Sequence, residues 1–423
     1  MGRTCLVLGG GGREHALAWR LSISASVDRV LTAPGNPGTA ALGPRLSVDI
    51  NDGNAVADLA QAHGVDLVVV GPEGPLVAGV ADVLAARGIA CFGPSAAAAE
   101  LEGSKAFAKD VMVKAGAPTG GYVHTSDVDE AYDAIDRFEP PYVIKADGLA
   151  AGKGVRICAT VDEARAAIDD ALVRRVFGDA GASLVIEEFL HGPERSVFGV
   201  CDGTDVVLLQ PAQDHKRALD GDEGLNTGGM GAFTPVAGFG SDRTDPLVDL
   251  IFLPVLRELA SRGAPFRGLL YAGIVDTEAG PKLLEFNVRF GDPETQVVMP
   301  ALASDLGELL WASATGSVRD VEVAWHGDAF VTVVLASEGY PESYPTGLVI
   351  EGVGSADALD DVTVFHAGTR DDEGVLSTSG GRVLAVTGRG DSLAAARAAA
   401  YDGVALIEFD GAHSRTDIGQ PIG

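Results

Sequence analysis

Lys282-Leu283-Leu284-Glu285-Phe286-Asn287-Val288-Arg289-Phe290 alternates apolar and polar side chains and runs straight into Gly291-Asp292-Pro293-Glu294-Thr295-Gln296. Strand periodicity sets Leu284, Phe286, Val288 and Phe290 on one face and Glu285, Asn287 and Arg289 on the other. A carboxylate and an amide oxygen two residues apart suit a hard cation such as Mg²⁺, with nucleotide phosphates completing its shell. Arg289 beside them suits a carboxylate or a transferring phosphoryl group. A solvent-facing strand shows the same alternation, but it seldom continues into such a Gly-Asp-Pro-Glu turn. The preceding run from Leu269 makes the whole stretch a hairpin.

Upstream, Tyr142-Val143-Ile144-Lys145-Ala146 is an apolar strand with a charge inside it. A buried ammonium needs a partner, and a nucleotide phosphate is a natural one. The following loop carries Gly148, Gly152 and Gly154, whose backbone N–H groups can approach phosphate oxygens, and Lys153, which adds charge. It is no Walker A loop, and taken alone it reads equally well as a surface hairpin. Lys105 follows Gly103 and Ser104 at the start of a helix expected over 104–115, within reach of the same phosphates, although a solvated lysine is its default in isolation. The strand ending in Glu187-Glu188-Phe189-Leu190, with Glu194 beyond Gly192-Pro193, offers an apolar slot for a base and carboxylates for ribose hydroxyls.

Towards the amino terminus, short apolar runs alternate with Ala-rich stretches, the rhythm of a parallel α/β sheet. Its glycine turns at Gly9 to Gly12 and Gly71-Pro72-Glu73-Gly74 fall where such sheets meet ligands. An α+β unit follows, with strands 142–146, 155–159 and 184–190 and a helix over 162–173, small enough to move as a lid. A polar loop over 213–231 and a helix over 246–261 come next. Beyond Gly316 the composition turns to strands, including 347–351, and an Ala-rich helix. The expected architecture is α/β and α+β multidomain: 1–103, 104–325 with a lid at about 120–190, and a mixed α/β unit over 326–423.

Composition agrees with this. A chain of 423 residues suits about three domains. Its 56 glycines suggest tight turns and ligand-hugging loops. A net charge of −29 with 31 Lys and Arg argues against bulk nucleic-acid binding. No apolar stretch approaches the ~20 residues of a membrane span. Met1 leads into a strand rather than a signal peptide, so a cytoplasmic protein is expected, with its four scattered cysteines reduced. A protein with a single activity is expected from this length.

Together the segments resemble the ATP-grasp superfamily and, within it, the phosphoribosylamine–glycine ligase family. The resemblance rests on Gly9-Gly10-Gly11-Gly12-Arg13-Glu14-His15-Ala16, Gly71-Pro72-Glu73-Gly74-Pro75-Leu76, Leu101-Glu102-Gly103-Ser104-Lys105, the 145–155 loop, Gln213-Asp214-His215-Lys216-Arg217, Asn226-Thr227-Gly228-Gly229-Met230 and Glu285 to Glu294. Gly74 departs mildly from the family's small apolar residue. The resemblance implies a preATP-grasp α/β domain, an ATP-grasp core with a mobile lid and a C-terminal domain. It also implies ATP-dependent joining of glycine to 5-phosphoribosylamine through glycyl phosphate.

On that resemblance Lys105, Lys145 and the segment holding Gly148, Gly152, Lys153 and Gly154 take the triphosphate. Glu187, Glu188, Phe189 and Leu190 frame adenine, and Glu194 takes ribose. Glu285 and Asn287 bind Mg²⁺ or Mn²⁺. Arg289 takes the glycine carboxylate and acyl-phosphate charge, with Asp214 and Lys216 nearby. Gly10, Gly11 and Gly12, assisted by Asn36, Gly38 and Thr39, meet the phosphate of phosphoribosylamine. A monomer is expected, in transient contact with the enzyme that supplies this unstable amine, without nucleic acid or membrane partners. An ATP-grasp ligase with another acceptor is the nearest rival. A dinucleotide-binding turn fares poorly, because Glu14 and His15 stand where the third glycine belongs. His15 reads as a cap or hydrogen-bond partner before a catalytic base.

Overall fold

The computed structural model describes residues 2–148 and 154–420. Four strands, β1 (Arg3–Gly9), β2 (Val27–Pro34), β3 (Leu67–Val70) and β4 (Ala90–Phe92), form a parallel sheet in the order β2-β1-β3-β4. Leu6, Leu8, Val68 and Val70 pack on one face, and Cys5, Val7, Leu67 and Val69 on the other. Burial on both faces explains the unbroken apolar runs. The strand order reverses between β1 and β3, so a crevice opens at their carboxyl ends, where Gly9 to Gly12 and Gly71 to Gly74 lie.

The lid sheet holds β5 (Tyr122–Thr125), β6 (Tyr142–Ala146), β7 (Val155–Cys158) and β8 (Leu184–Glu187), antiparallel in the order β5-β8-β6-β7. Helices Val128–Ile135 and Val161–Ile168 close over it around Ala131, Ile135, Ile144, Ala167 and Ile186, a core made of lid residues alone. The helix expected over 162–173 is regular to Ile168 and then widens into a π-helical turn, Asp169–Val173.

Next come β9 (Glu194–Asp202), β10 (Val206–Leu208), β11 (Gln213–Asp214), β12 (Arg217–Leu219), β13 (Glu223–Asn226), β14 (Gly231–Thr234), β15 (Arg267–Thr277) and β16 (Gly280–Asn287). The polar stretch over 213–231 is therefore no loop: it contains β11, the hairpin β12–β13 and the start of β14. Gly221 and Gly224 adopt positive φ between and within these short strands, so glycines that suggested a loop serve the hairpin turn.

The central sheet runs β10-β9-β15-β16, all antiparallel. Gly273 faces Glu285 while Ile274 faces Leu283, so Leu284 is the extra residue of a β-bulge. The bulge corrects the simple alternation: Leu283 and Phe286 are buried and Leu284 is half-exposed. Beyond it Glu285, Asn287 and Arg289 keep their common face.

The last part contributes β17 (Ala329–Ser337), β18 (Val362–His366), β19 (Thr369–Asp372), β20 (Val375–Thr378), β21 (Arg382–Gly390) and β22 (Ala412–His413). The expected strand over 347–351 makes isolated bridges instead, Val349 to Ser377 and Glu351 to Glu408. One sheet runs β11-β14-β17-β21-β18, with β22 on β17, so strands from both sides of residue 325 share it. Helix Leu393–Val404 covers this sheet through Ala396 and Ala400. The segment after β22 crosses the β12–β13 hairpin: fully buried Arg415 bonds Asp222 at 3.0 Å and the Arg217 carbonyl at 3.0 Å. Among the described residues the four cysteines are free, and no helix is long and apolar enough to cross a membrane.

Candidate active site

Helix Lys105–Ala115 begins at Ser104, whose hydroxyl accepts from Phe107 N at 3.1 Å. Asp147 Oδ1 accepts from Ala106 N at 2.8 Å and from Ser104 Oγ at 3.0 Å, so a carboxylate meets the positive end of the helix. Lys105 Nζ donates to the Gly148 carbonyl at 3.1 Å. Burial pulls the Lys105 ammonium below the usual lysine range, with Glu285 opposing and Lys145 adding to the fall. Gly148 lies so close to Ala180 that a Cβ would sit 2.8 Å from its Cα. Gly154 closes β6 onto β7 by accepting from Ala146 N at 2.8 Å. Gly152 and Lys153 lie outside the described residues.

Lys145 is buried, as its strand implies, and its first partner is a protein carboxylate: Nζ stands 3.1 Å from Glu187 Oε1. The other oxygen, Oε2, lies 3.0 Å from Lys109 Nζ. The Glu187 side chain is thus held between two lysines rather than lining an open adenine slot. Lys109 went unread because a lysine four residues after Lys105 looks like any solvated helix position. Glu188 accepts from Gly121 N at 3.0 Å, the main reason its carboxyl is held below the usual range, and Lys282 Nζ lies 3.4 Å away. Phe189 and Leu190 are half-buried, with Phe189 edge-on to His191 at 4.9 Å.

Glu285 and Asn287 face the same region from β16. Burial pushes the Glu285 carboxyl up, but Lys216, Lys145, Lys105 and Arg289 outweigh it and hold it below the usual range. Neither side chain is engaged by another described residue. Among the described residues no group of three or more His, Cys, Asp or Glu is placed to hold a metal ion by itself. An ionised carboxylate and an uncommitted amide oxygen fit Mg²⁺ or Mn²⁺ whose remaining ligands are phosphate oxygens and water. Lys216 pairs with Glu194 through Oε2, leaving the other carboxylate oxygen of Glu194 without a side-chain partner among the described residues. Asp214 is pushed up to about 7, by burial first and then by Glu294 and Glu194, against the pull of Lys216.

Arg289 is already gripped: Nη2 lies 2.8 Å from Glu102 Oε1, Nε 3.3 Å from Glu73 Oε2 and Nη1 3.3 Å from the Phe290 carbonyl. Glu102 also accepts from Val288 N at 2.8 Å, pinning the strand end to the first domain. Arg289 stays firmly charged: burial opposes this, but Glu102 and Glu73 dominate.

The glycine turn corrects the sequence reading most. Gly11 N donates to Glu14 Oε2 at 2.6 Å, and Arg13 Nε holds the other oxygen at 2.6 Å. A Cβ on Gly9 would come 2.6 Å from Glu14 Cγ, so the turn wraps the chain's own carboxylate. Gly11 N is not free for a substrate phosphate. Asn36 Nδ2 donates to the Gly10 carbonyl at 3.0 Å and the His366 carbonyl at 2.7 Å, while its Oδ1 accepts from Thr39 N at 3.0 Å. Asn36 and Thr39 form a reciprocal cap on helix Pro37–Ala40, and a Cβ on Gly38 would meet His366 at 2.8 Å. These three residues build the turn and its joint with the C-terminal part. Gly10 and Gly12 remain at the crevice, a Cβ on Gly12 standing 2.6 Å from Gln296 Nε2. His15 Nδ1 accepts from His366 N at 2.8 Å, which makes it a structural acceptor. Arg382 of β21 was also missed: Nη1 donates to the Gly228 carbonyl at 2.6 Å and the Asp292 carbonyl at 2.7 Å, joining two motifs.

Lysines, an ionised carboxylate and an amide thus surround one region between lid and core, while the glycine turns approach from the first domain and Arg289 from the end of β16. Comparisons with known proteins follow this layout. Family models for phosphoribosylglycinamide synthetase match in series: the N domain over 3–102, the ATP-grasp (A) domain over 103–295 and the C domain over 330–421. The chain is 50% identical over 422 residues to phosphoribosylamine–glycine ligase of Caulobacter vibrioides, covering 98% of this chain and 97% of that protein. The enzyme of the same name from Streptomyces coelicolor is 51% identical over 417 residues, covering 98% of each. The crystal structure of phosphoribosylamine–glycine ligase from Thermotoga maritima superposes with a TM-score of 0.85 at 33% identity, over 98% of this chain and 99% of that one. A biotin carboxylase domain of Hydrogenobacter thermophilus 2-oxoglutarate carboxylase, solved with MgADP and bicarbonate, shares the fold at TM-score 0.74 and 17% identity, over 98% and 92%. With all three family domains in order and half of the residues shared over almost the full length, this chain belongs to the phosphoribosylglycinamide synthetase family.

Proposed function

We propose that the chain joins glycine to 5-phosphoribosylamine, converting ATP to ADP and phosphate, in purine biosynthesis. The observation that carries this reading is the open Glu285 and Asn287 face of β16, within the electrostatic reach of the half-buried Lys105 and the buried Lys145. A glycine carboxylate oxygen attacks the γ-phosphorus, the bond to the bridging oxygen breaks, and ADP leaves with glycyl phosphate formed. The amine nitrogen of phosphoribosylamine then attacks the glycyl carbonyl, phosphate departs, and the nitrogen loses a proton.

Positioning and charge neutralisation dominate such a reaction. Lys105, Lys145 and the 148–154 segment hold the triphosphate. Mg²⁺ or Mn²⁺, held by Glu285 and Asn287, neutralises phosphate charge when bound. Phe189 and Leu190 flank adenine, with Glu188 beside them. Arg289 orients the glycine carboxylate with the N–H groups that Glu73 and Glu102 leave over. Lys216 neutralises charge near the acyl phosphate, and Asp214, raised to about 7, is suited to accept the proton from the attacking amine. Gly10 and Gly12 approach the ribose phosphate. We place the enzyme in the cytoplasm as a monomer.

The test is ADP release with Mg²⁺, ATP, glycine and freshly generated phosphoribosylamine, each omitted in turn, beside Glu285→Ala. Turnover that needs both co-substrates and vanishes in the variant supports the assignment. ADP release indifferent to glycine overturns it.

A further inference from the structure

We propose that Lys109 is a positioning residue that keeps the charge of Lys145 available to the nucleotide by neutralising Glu187 from behind. The arrangement is a buried line of three side chains, Lys109, Glu187 and Lys145, each almost wholly excluded from solvent. Each lysine takes one carboxylate oxygen, at 3.0 and 3.1 Å. Two ammonium groups on one carboxylate leave one positive charge that Glu187 does not balance. Such a charge is costly in an interior unless an anion completes the set.

The two lysines are held differently. Lys109 also donates to Thr119 Oγ1 at 3.0 Å, and Thr119 in turn donates to the Leu283 carbonyl at 2.8 Å. Lys109 is therefore tied to the strand that carries Glu285. Lys145 approaches Glu187 Oε1 within ion-pair distance, yet that oxygen lacks any aligned hydrogen bond. Lys109 and Lys105 lie one turn apart on the same helix, so the front lysine of that helix meets Gly148 while the rear one balances Glu187. Without Lys109, Glu187 would have Lys145 as its sole counter-ion and would draw it into a closed, neutral pair.

This inference rests on the assignment of Lys145 to the nucleotide phosphates, and its test separates the two. ADP and ATP binding to the full-length protein is measured by titration calorimetry, alongside thermal melting and the KM values for ATP and glycine. Lys109→Met should weaken nucleotide binding and raise the ATP KM roughly tenfold or more, with the glycine KM nearly unchanged. The double variant Lys109→Met/Glu187→Gln removes both charges while keeping an acceptor oxygen. It should recover most of the lost affinity, because Lys145 again faces the nucleotide unneutralised. A Lys109→Met protein that melts lower but binds nucleotide normally would overturn the proposal, and so would a double variant that binds no better than the single one. If Lys145→Met leaves nucleotide affinity intact, the phosphate assignment itself falls, and the role of Lys109 with it.

Discussion

Glu285 carries a negative charge that four surrounding cations keep ionised. Replacing it by Gln keeps the volume and removes the charge, so turnover should fall roughly a hundredfold or more, with the Mg²⁺ requirement shifted to higher concentration. Steady-state rates over a metal titration check this. Histidines make a second statement. Burial lowers His15 to about 3, with His366 adding to the shift, and lowers His366 and His215 to about 4. The unfolded chain then binds more protons than the folded one below pH 6.5. Their stabilising effect is complete above that value and is lost as pH falls towards 4, by up to about 2 kcal/mol per histidine at pH 5. Asp214 runs the opposite way, since its folded pKa is raised. Urea midpoints between pH 7.5 and 5 should therefore decline, and His15→Phe should flatten the decline.

Single residues were legible where local chemistry sufficed. A lysine inside Tyr142–Ala146 announced a buried charge, and Glu285 with Asn287 announced oxygen donors on one face. Glu14, Asn36, Lys109 and Arg382 were not legible in their roles. Each is defined by a partner that sequence does not place nearby, as when Asn36 meets the carbonyl of His366.

At the scale of elements, helix Lys105–Ala115 shows local and long-range control together. Ser104 was readable as its start, and the cap bond confirms why. Ser104→Ala should cost about 1 kcal/mol in a urea titration and loosen Asp147, which loses its 3.0 Å partner. Strand β16 was readable as a strand, but its bulge was not. An extra residue is defined against the partner strand, and only pairing with Gly273 and Ile274 reveals it. The β12–β13 hairpin was hidden by glycine-rich composition, and β2 by the charges of Asp28 and Arg29 at its start.

For the whole molecule, the distribution of cores decides how it yields. The lid owns its core and the C-terminal part has a small one of its own around Ile350, Val364 and Val383, whereas residues of the first domain, the central sheet and the C-terminal part also pack into common ones. Calorimetry should resolve a smaller transition for the lid below the main one, and ADP with Mg²⁺ should raise the smaller one more. Three-domain order was legible because motifs mark the first two parts and a shift to strand-like composition beyond Gly316 marks the third. The joining of the last two was not, since β14 and β17 pair across about a hundred residues.

That shared sheet has a consequence for proteolysis. The stretch over 316–328 is largely exposed and lies between the two strands it separates. A protease that cuts there severs the backbone without severing the ladder from Gly231–Thr234 to Phe330–Val333 or the buried Arg415 that grips the far hairpin. The nicked protein should show two bands on a denaturing gel yet elute as one species from a sizing column. Its two pieces would behave as subunits of a heterodimer.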